Sequence, residues 1–442
     1  MGIIEIFREQ NLWWKEGISL KGMVERDIFP LIVNWLETPE LIVVTGPRQS
    51  GKTTLLFQLI GYLLEKGVHP EKIAYFNLDE EDLRTLFKNT TDFIKFLNDV
   101  TQGKARFVLI DEVQKVINCG LLLKKIYDLR KGFKIIVSGS SSLEIRKETG
   151  EHLTGRKVSF YLTPFTVTEY IRTKGLNWFH EEVRDFNELE RIYRTYGGSL
   201  SDLIEEYIIY GGYPRVVLEA DKEKKKILLR ELYKDYVRKD VRDFFKIEKI
   251  EGYNKLVSLL GLNVGNLLNV EEVSNNLSLR REFVEKSIFA LESSFVISRL
   301  RPYFTNPRKE IVKMSKIYFN DTGLRNSLVD DFSPLAKRIG VGYLMENFIC
   351  NLLKQKNYFP YFWRTQNKAE VDFVIKSKKG LMPVEVKHSI FKKPKLSKSF
   401  HSFMERYGSR RGIVVTKDFL YKVEIGKAEI LFVPFFEANL WI

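Results

Sequence analysis

The segment from residue 46 to residue 54 has the residue types and the spacing that hold a chain of phosphates. It contains the pattern G-x-x-x-x-G-K-[ST], in the order Gly46, Pro47, Arg48, Gln49, Ser50, Gly51, Lys52, Thr53 and Thr54. Glycines let successive backbone amides curl toward an anion, and the start of a helix adds partial positive charge. We expect Lys52 to neutralise the β- and γ-phosphates and Thr53 to bind Mg²⁺. The pattern predicts an ATP site.

An apolar run downstream, Phe107–Ile110, ends in two adjacent carboxylates, Asp111 and Glu112. We expect Asp111 to hold the Mg²⁺ shell and Glu112 to polarise the water that attacks the γ-phosphate. The pair therefore favours hydrolysis over binding alone. Another run, 134–138, ends in Ser138, a candidate nucleotide-binding residue. A polar residue there could sense the γ-phosphate, or the serines at this point could cap the next helix.

Arg156 is the best candidate for an arginine finger. A guanidinium that reaches the transition-state phosphate from a neighbouring subunit or a mobile loop would accelerate hydrolysis strongly. Most arginines form surface ion pairs instead. The sequence leaves both roles open.

Carboxylates and a lysine also cluster near the end of the chain. In the predicted strand 383–387, Glu385 and Lys387 share a face because residues two apart point the same way. Asp372 lies on the preceding strand of a predicted hairpin, and Glu346 lies on an upstream helix. Carboxylates that bind Mg²⁺ beside a lysine could hydrolyse a phosphodiester. The alternative is an exposed edge strand that only carries solvated charges.

The surroundings of this cluster are basic. Residues 376–411 contain eleven lysines or arginines against Glu385 and Glu405, and Lys392 and Lys393 are among them. Such a surface is typical of proteins that bind a nucleic-acid backbone.

The elements that must position these residues form a predicted α/β fold. Apolar runs at 41–45, 73–78, 107–111 and 134–138 alternate with amphipathic helices, which is typical of the parallel sheet of a P-loop NTPase. The charged stretch that follows, up to residue 249, predicts a helical connector.

The segment from Gly252 to Phe319 has a different pattern. It predicts three helices, followed by two extended runs; these five elements lie near Tyr253–Leu262, Val270–Leu277, Arg280–Glu292, Phe295–Leu300 and Lys316–Phe319. Three helices with a β-ribbon indicate a winged helix, whose third helix commonly enters the major groove of DNA. Arg280 and Arg281 begin that helix and are candidate DNA contacts. The alternative is a winged-helix module used only for protein packing.

Composition limits the class of protein. With 442 residues, the chain should form several domains, and 44% hydrophobic residues exclude wholesale disorder. We find no apolar stretch of the roughly 20 residues that a membrane span needs and no signal-peptide pattern. Two cysteines fit a reducing cytosol, so we expect a cytoplasmic protein without a membrane partner. The net charge of +14 favours a polyanion such as DNA as a partner.

With these motifs assembled, the chain resembles a family of archaeal and bacterial AAA-type ATPases that carry a C-terminal domain related to the PD-(D/E)XK nucleases. The resemblance covers nearly the whole chain. Besides the motifs already given, it includes segments at 110–114, 138–141, 155–156, 210–214, 318–324, 346–347, 370–373 and 385–387.

The resemblance implies an AAA-type ATPase domain at 1–178, a helical connector at 179–250, a winged-helix domain at 251–330 and a restriction-endonuclease-like α/β domain at 331–442. It carries the nuclease roles to Glu346, Asp372 and Glu385 as metal ligands and to Lys387 as the catalytic lysine. One position departs from the family pattern, because Val371 stands where the motif has proline.

Two functional hypotheses follow. In the first, the chain hydrolyses ATP with Mg²⁺, acts on DNA and carries a Mg²⁺-dependent nuclease domain, with a homo-oligomer as one arrangement. In the second, ATP switches a scaffold that binds DNA or protein without cutting. A nucleotide-driven protein remodeller is a weaker third hypothesis, since the sequence contains no clear pore-loop motif.

Overall fold

A computed structural model of the chain describes residues 2–129, 132–139, 153–180, 183, 185–236, 241, 247, 249–305, 313–378 and 380–441. The chain divides into two compact units. The first contains residues 1–164 and 293–295, and the second contains residues 165–292 and 296–442. The finer division into four domains with boundaries at 178, 250 and 330 stays a prediction.

The first unit contains a five-stranded sheet in which every neighbouring pair is parallel. Its strands are β1 (Leu41–Thr45), β2 (Ile73–Asn77), β3 (Phe107–Asp111), β4 (Lys134–Gly139) and β5 (Lys157–Tyr161). They stand in the order β2-β3-β4-β1-β5. The predicted α/β fold with a parallel sheet is confirmed in this unit.

Helices accompany this sheet because its strands are apolar on both faces. The helices of the unit are α1 (Ile3–Gln10), α2 (Phe29–Val33), α3 (Lys52–Glu65), α4 (Glu81–Arg84), α5 (Thr90–Thr101) and α6 (Cys119–Asp128). Within β1, Val43 belongs to one apolar cluster, and Ile42 and Val44 belong to another. Both faces of the sheet are therefore covered by apolar side chains.

The second unit begins with helices. The chain forms α7 (Val167–Thr173), α8 (Phe186–Tyr210), α9 (Pro214–Val217), α10 (Lys222–Tyr236), α11 (Ile250–Leu262), α12 (Val270–Leu277) and α13 (Arg281–Ser293). An antiparallel ribbon follows, formed by β6 (Ile297–Leu300) and β7 (Lys316–Phe319). The three helices and two strands predicted between residues 252 and 319 are thus confirmed as elements.

The rest of the unit contains a six-stranded mixed sheet in the order β12-β13-β11-β10-β9-β8. The strands are β8 (Tyr361–Arg364), β9 (Glu370–Ser377), β10 (Gly380–Lys387), β11 (Arg411–Thr416), β12 (Tyr421–Ile425) and β13 (Ala428–Pro434). The helices are α14 (Thr322–Leu328), α15 (Val341–Gln355), α16 (Lys398–Tyr407) and α17 (Ala438–Trp441). β9 and β10 pair antiparallel, which confirms the predicted hairpin.

Two glycine-containing motifs of the second unit meet at the start of α14. The Asp321 carboxylate accepts hydrogen bonds from the backbone N–H groups of Gly212 and Leu324, each at 2.7 Å. A Cβ on Gly323 would lie 2.1 Å from the carbonyl oxygen of Tyr210, so only glycine fits there. The motifs at 210–214 and 318–324 therefore form one structural junction.

None of the helices in the described ranges is long and apolar enough to cross a membrane.

Candidate functional site

The loop between β1 and α3 passes close to the backbone at Leu162, in the segment that follows β5 of the same chain. A Cβ on Gly46 would lie 2.2 Å from the carbonyl oxygen of Leu162, so the loop can follow this path only with glycine at its first position. Gln49 adopts a left-handed backbone with a φ of 58°. Pro47 and Arg48 belong to the same loop, and Thr54 lies in the first turn of α3.

Lys52 begins α3 and is almost completely buried. Its ammonium donates hydrogen bonds to the carbonyl oxygens of Gly46, at 3.1 Å, and Pro47, at 2.8 Å. These acceptors are neutral, so a phosphate that reached the loop would offer the lysine a stronger, charged acceptor.

Asp111 lies at the end of β3, at the carboxyl edge of the sheet, and accepts hydrogen bonds from α3 and β4. The hydroxyl of Thr53 donates to Asp111 Oδ2 at 2.5 Å, and the hydroxyl of Ser138 donates to Oδ1. Asp111 is only 1% exposed. The structure thus brings together three predicted residues from separate parts of the chain.

This group of oxygens suits Mg²⁺. A threonine hydroxyl and a carboxylate, together with phosphate oxygens, are the hard ligands that the ion takes in nucleotide sites. Thr53 and Asp111 therefore fit the metal role that the sequence predicts for them. The serines at 140–142 lie outside the described residues.

Glu112 differs from its neighbour in backbone and exposure. It has a left-handed φ of 55° directly after the strand, and it is half-buried. Its N–H donates to Asp111 Oδ1 at 3.1 Å, and the side-chain amide of Gln114 donates to its carboxylate. The two acids are thus held at the same edge in different environments.

Tyr75 is a residue of this site that the sequence did not reveal. Its hydroxyl donates to Asp111 Oδ2 at 3.2 Å from the adjacent strand β2. Burial and the charge of Asp111 raise its pKa well above the ordinary tyrosine value, which keeps the phenol a neutral donor. In the sequence, a tyrosine within an apolar strand is indistinguishable from ordinary core.

Arg26 is a second missed residue. It is buried, and its guanidinium donates to the carbonyl oxygens of Ser50 and Thr163, each at 2.7 Å. It therefore links the phosphate loop to the segment after β5. No local pattern marks this arginine, because its partners lie 24 and 137 residues away.

Arg156 lies at the opposite end of the sheet from the phosphate loop. The parallel register pairs Leu41 with Lys157 and Thr45 with Tyr161, so Arg156 precedes the strands while the loop follows them. The strand length separates the two by about 15 Å. Arg156 pairs with Asp128 at 2.9 Å. It cannot reach the phosphates of its own chain, and a finger role would need a second copy.

The second unit assembles the predicted acid and lysine cluster from α15, β9 and β10. Asp372 Oδ2 accepts a hydrogen bond from the Val386 N–H at 2.8 Å. Lys387 Nζ lies 3.1 Å from Glu385 Oε1. Burial alone would lower the pKa of Lys387, but the charges of Glu385 and Asp372 raise it. Burial and the charge of Asp372 raise the pKa of Glu346 to about 7.

Lys316 is a member of this cluster that the sequence analysis missed. It comes from β7, is 3% exposed, and places Nζ 2.6 Å from Glu370 Oε1 and 3.6 Å from Glu346 Oε2. Burial alone would lower its pKa, but the carboxylates of Glu346 and Glu370 raise it. From the sequence, Lys316 is only a residue of a predicted strand. It lies 30 positions before Glu346, the nearest predicted metal ligand.

The predicted metal ligands of this cluster are Glu346, Asp372 and Glu385. Within the part of the chain that the structure describes, no three His, Cys, Asp or Glu side chains converge as ligands of one ion. The role of these three residues as metal ligands, which the resemblance implies, stays a prediction.

The predicted DNA contacts are exposed. Arg280 and Arg281 lie at the start of α13, and Arg281 Nε donates to Glu285 at 2.8 Å. Lys392 and Lys393 lie between β10 and α16. The two pairs belong to different elements of the second unit.

Three family models match successive parts of the chain. The first is described as an AAA domain and matches residues 38–171, which supports the predicted AAA-type ATPase domain. The others are described only as domains of unknown function, and they match residues 201–335 and 341–434.

Relatives resemble the chain over most of its length. An uncharacterized protein of Haemophilus influenzae is 24% identical over 424 residues, which are 93% of this chain and 98% of the relative. An uncharacterized protein of Methanocaldococcus jannaschii is 27% identical over 412 residues, which are 89% of this chain and 83% of the relative.

Solved structures overlap more loosely. The Aeropyrum pernix ORC1 protein in complex with DNA has a TM-score of 0.31 at 12% identity and covers 72% of this chain and 96% of its own. AMPPCP-bound DnaA from Aquifex aeolicus has a TM-score of 0.30 at 14% identity and covers 63% of this chain and 92% of its own. Overlaps of this size carry no argument about function.

Proposed function

We propose that this protein binds ATP with Mg²⁺ and hydrolyses it, and that its second unit binds DNA. The observation that carries the ATPase is the network in which Thr53, Asp111 and Ser138 meet beside the phosphate loop. This network combines the metal-holding hydroxyl and the metal-holding acid with a polar residue on the adjacent strand.

The residues of the site have different roles in hydrolysis. Lys52 exchanges its two carbonyl acceptors for phosphate oxygens, because a charged acceptor binds an ammonium more strongly. Bound Mg²⁺ supplies charge neutralisation on the phosphates. Glu112 accepts a proton from, or orients, the attacking water, while Asp111 is held in place by its hydroxyl donors.

The test compares ATP binding and steady-state hydrolysis in the wild type, Lys52→Ala and Lys66→Ala. Lys66 directly follows the last residue of α3 and is exposed, so it controls for the loss of a lysine near the same helix. Lys52→Ala should lose both activities, and Lys66→Ala should keep them. Hydrolysis that survives in Lys52→Ala would remove the loop from the mechanism.

Arg156 enters this proposal only as a finger supplied by a second copy. If it acts in that way, a mixture of Arg156→Ala and Lys52→Ala proteins should recover part of the activity that each lacks alone, because a mixed pair contains one complete site. A mixture with no more activity than its components would leave Arg156 as the surface partner of Asp128.

DNA binding rests on the exposed basic residues of the second unit. Helices α11, α12 and α13 with the β6–β7 ribbon have the element order of a winged helix, and Arg280 and Arg281 stand at the start of the third helix. Lys392 and Lys393 add charge elsewhere in the unit. Fluorescence anisotropy with a labelled duplex tests this binding directly.

Cleavage of DNA is the finer activity that the resemblance implies for residues 331–442. Glu346, Asp372, Glu385 and Lys387 lie in one region, and the buried ammonium of Lys316 beside these acids favours binding without cleavage. The test incubates plasmid DNA with Mg²⁺ or Mn²⁺. Cleavage that is lost in Lys387→Ala would establish a nuclease and overturn this choice.

A further inference from the structure

Lys316 occupies the centre of the acid cluster in the second unit. Its Nζ contacts the carboxylate of Glu370 at 2.6 Å and lies 3.6 Å from that of Glu346. Its side chain is 3% exposed. A buried ammonium is costly unless it is paired or hydrogen-bonded, so the position of Lys316 and the positions of these acids depend on each other.

The backbone holds Lys316 in this place. Lys316 pairs with Leu300 in the β6–β7 ribbon and forms a bridge with Leu267 on its other side. Its ammonium also lies 5.5 Å from the centre of the Phe362 ring, a favourable distance for a cation over an aromatic face. The side chain is therefore fixed by strand pairing at its base and by packing at its tip.

Other donors also bind carboxylate oxygens of this cluster. Tyr318 donates its hydroxyl to Glu346 Oε2 at 3.2 Å, and the Val386 N–H donates to Asp372 Oδ2. Arg364 donates to the second oxygen of Glu370 at 2.8 Å. Glu346, Asp372 and Glu370 thus each have a protein donor besides Lys316 or in its place.

The charges of the cluster are close to balance without an ion. Four carboxylates, those of Glu346, Glu370, Asp372 and Glu385, face three cations, those of Lys316, Arg364 and Lys387. A divalent ion among these acids would meet the fixed ammonium of Lys316 at short range. Like charges that close in a buried site repel strongly.

We propose that Lys316 is the resident cation of this cluster and that it takes the place of a divalent metal. The acids then bind Lys316 and so connect the β6–β7 ribbon to α15 and to the C-terminal sheet. They do not activate water. The inference does not depend on the ATP site, because every residue that carries it lies in the second unit.

The experiment titrates the nucleotide-free full chain with Mn²⁺ and follows free Mn²⁺ by electron paramagnetic resonance. The wild type and Asp372→Asn should bind the same amount of Mn²⁺, since the cluster contributes none. Lys316→Met removes the charge and keeps the length of the side chain, so it should bind one Mn²⁺ ion more than the wild type, with an affinity at least about 10-fold above any that the wild type shows. Adding Asp372→Asn to Lys316→Met should abolish that extra site.

Lys376→Met is the matched control. Lys376 lies on β9 with its ammonium 4.2 Å from the centre of the Tyr361 ring, and it is exposed. This variant should bind Mn²⁺ as the wild type does. Circular dichroism establishes that each variant is folded.

Two results would overturn the inference. The first is a Mn²⁺ ion bound by the wild type and lost in Asp372→Asn, a comparison that decides the matter even if Lys316→Met does not fold. The second is a folded Lys316→Met protein whose Mn²⁺ affinity equals that of the wild type.

Discussion

Asp111 and Glu112 are adjacent carboxylates whose surroundings give them different chemistry. Asp111 is enclosed by hydroxyl donors from Thr53, Tyr75 and Ser138, which hold its carboxyl group in a fixed position. Glu112 leaves the strand with a left-handed backbone and remains half-buried. The first geometry suits the metal shell, and the second leaves a carboxylate that water can reach.

We predict that Glu112→Gln binds ATP like the wild type but hydrolyses it at least about 100-fold more slowly, because an amide cannot accept a proton from water. Glu81→Gln, an exposed glutamate at the start of α4, is the control and should hydrolyse normally. The measurements are equilibrium binding of a fluorescent ATP analogue and phosphate release. Unchanged turnover in Glu112→Gln would assign the base to another residue.

Glu437 is a buried acid of the second unit without a counter-charge. Neither of its carboxyl oxygens meets a hydrogen-bond donor among the described residues, and the residue is fully buried. Burial raises its pKa to about 8 from an ordinary value of 4.5. The folded state therefore keeps a proton that the unfolded state releases at lower pH. The contribution of this proton to the free energy of unfolding is present in mild acid and is lost as pH rises from 4.5 to about 8.

We predict that Glu437→Gln, which resembles the protonated acid, raises the free energy of unfolding at high pH and leaves it nearly unchanged in mild acid. The gain should grow through the interval between the two pKa values and level off above it, at roughly 5 kcal/mol. Urea unfolding at pH values on both sides of that interval measures it. An equal effect at all pH values would show that Glu437 does not titrate in this way.

At the scale of elements, Asp321 caps α14 and also connects this helix to the turn after α8. Asp321 caps this helix through the N–H of Leu324 and also binds the N–H of Gly212, which belongs to the turn after α8. Asp185 caps α8 through the N–H of Glu188 but lies at the surface. The two caps have similar local geometry and different burial.

We predict that Asp321→Ala lowers the free energy of unfolding by about 3 kcal/mol, because it leaves two buried N–H groups without acceptors. Asp185→Ala should cost about 1 kcal/mol, the usual effect of losing an exposed cap. Chemical denaturation of both variants measures the difference. Equal losses would mean that the contact with Gly212 contributes nothing to stability.

At the scale of the whole molecule, the net positive charge determines how the affinity for DNA depends on salt. The formal net charge is +14, and Lys392 and Lys393 are exposed on a segment rich in lysine. Each lysine that neutralises a phosphate releases counterions, so the affinity falls with salt in proportion to the number of such contacts.

We predict that the affinity for duplex DNA falls steeply with salt, and that replacing Lys392 and Lys393 by alanine makes the slope of log affinity against log salt shallower by about 2. Replacing Lys222 and Lys224, two exposed lysines of α10, is the control and should leave the slope unchanged. Anisotropy titrations at several salt concentrations measure both slopes. Equal slopes in all three proteins would place the DNA contacts elsewhere.

The sequence predicted the nucleotide loop, its acids and most of the elements because each depends on residues that are close along the chain. The pattern from Gly46 to Thr53 contains its own strand, turn and helix start, and Asp111 and Glu112 follow a strand whose apolar run is unmistakable. The three helices and the ribbon between residues 252 and 319 likewise follow from local periodicity.

Tertiary structure alone decided which distant side chains meet. The order of the strands places Tyr75 beside Asp111 and sets Arg156 at the far end of the sheet. Strand pairing brings Lys316 among acids that lie 30 to 56 residues further along the chain. Periodicity reports which face of an element is buried, but it does not encode what packs against that face. The identity of the cation in the acid cluster therefore became visible only in three dimensions.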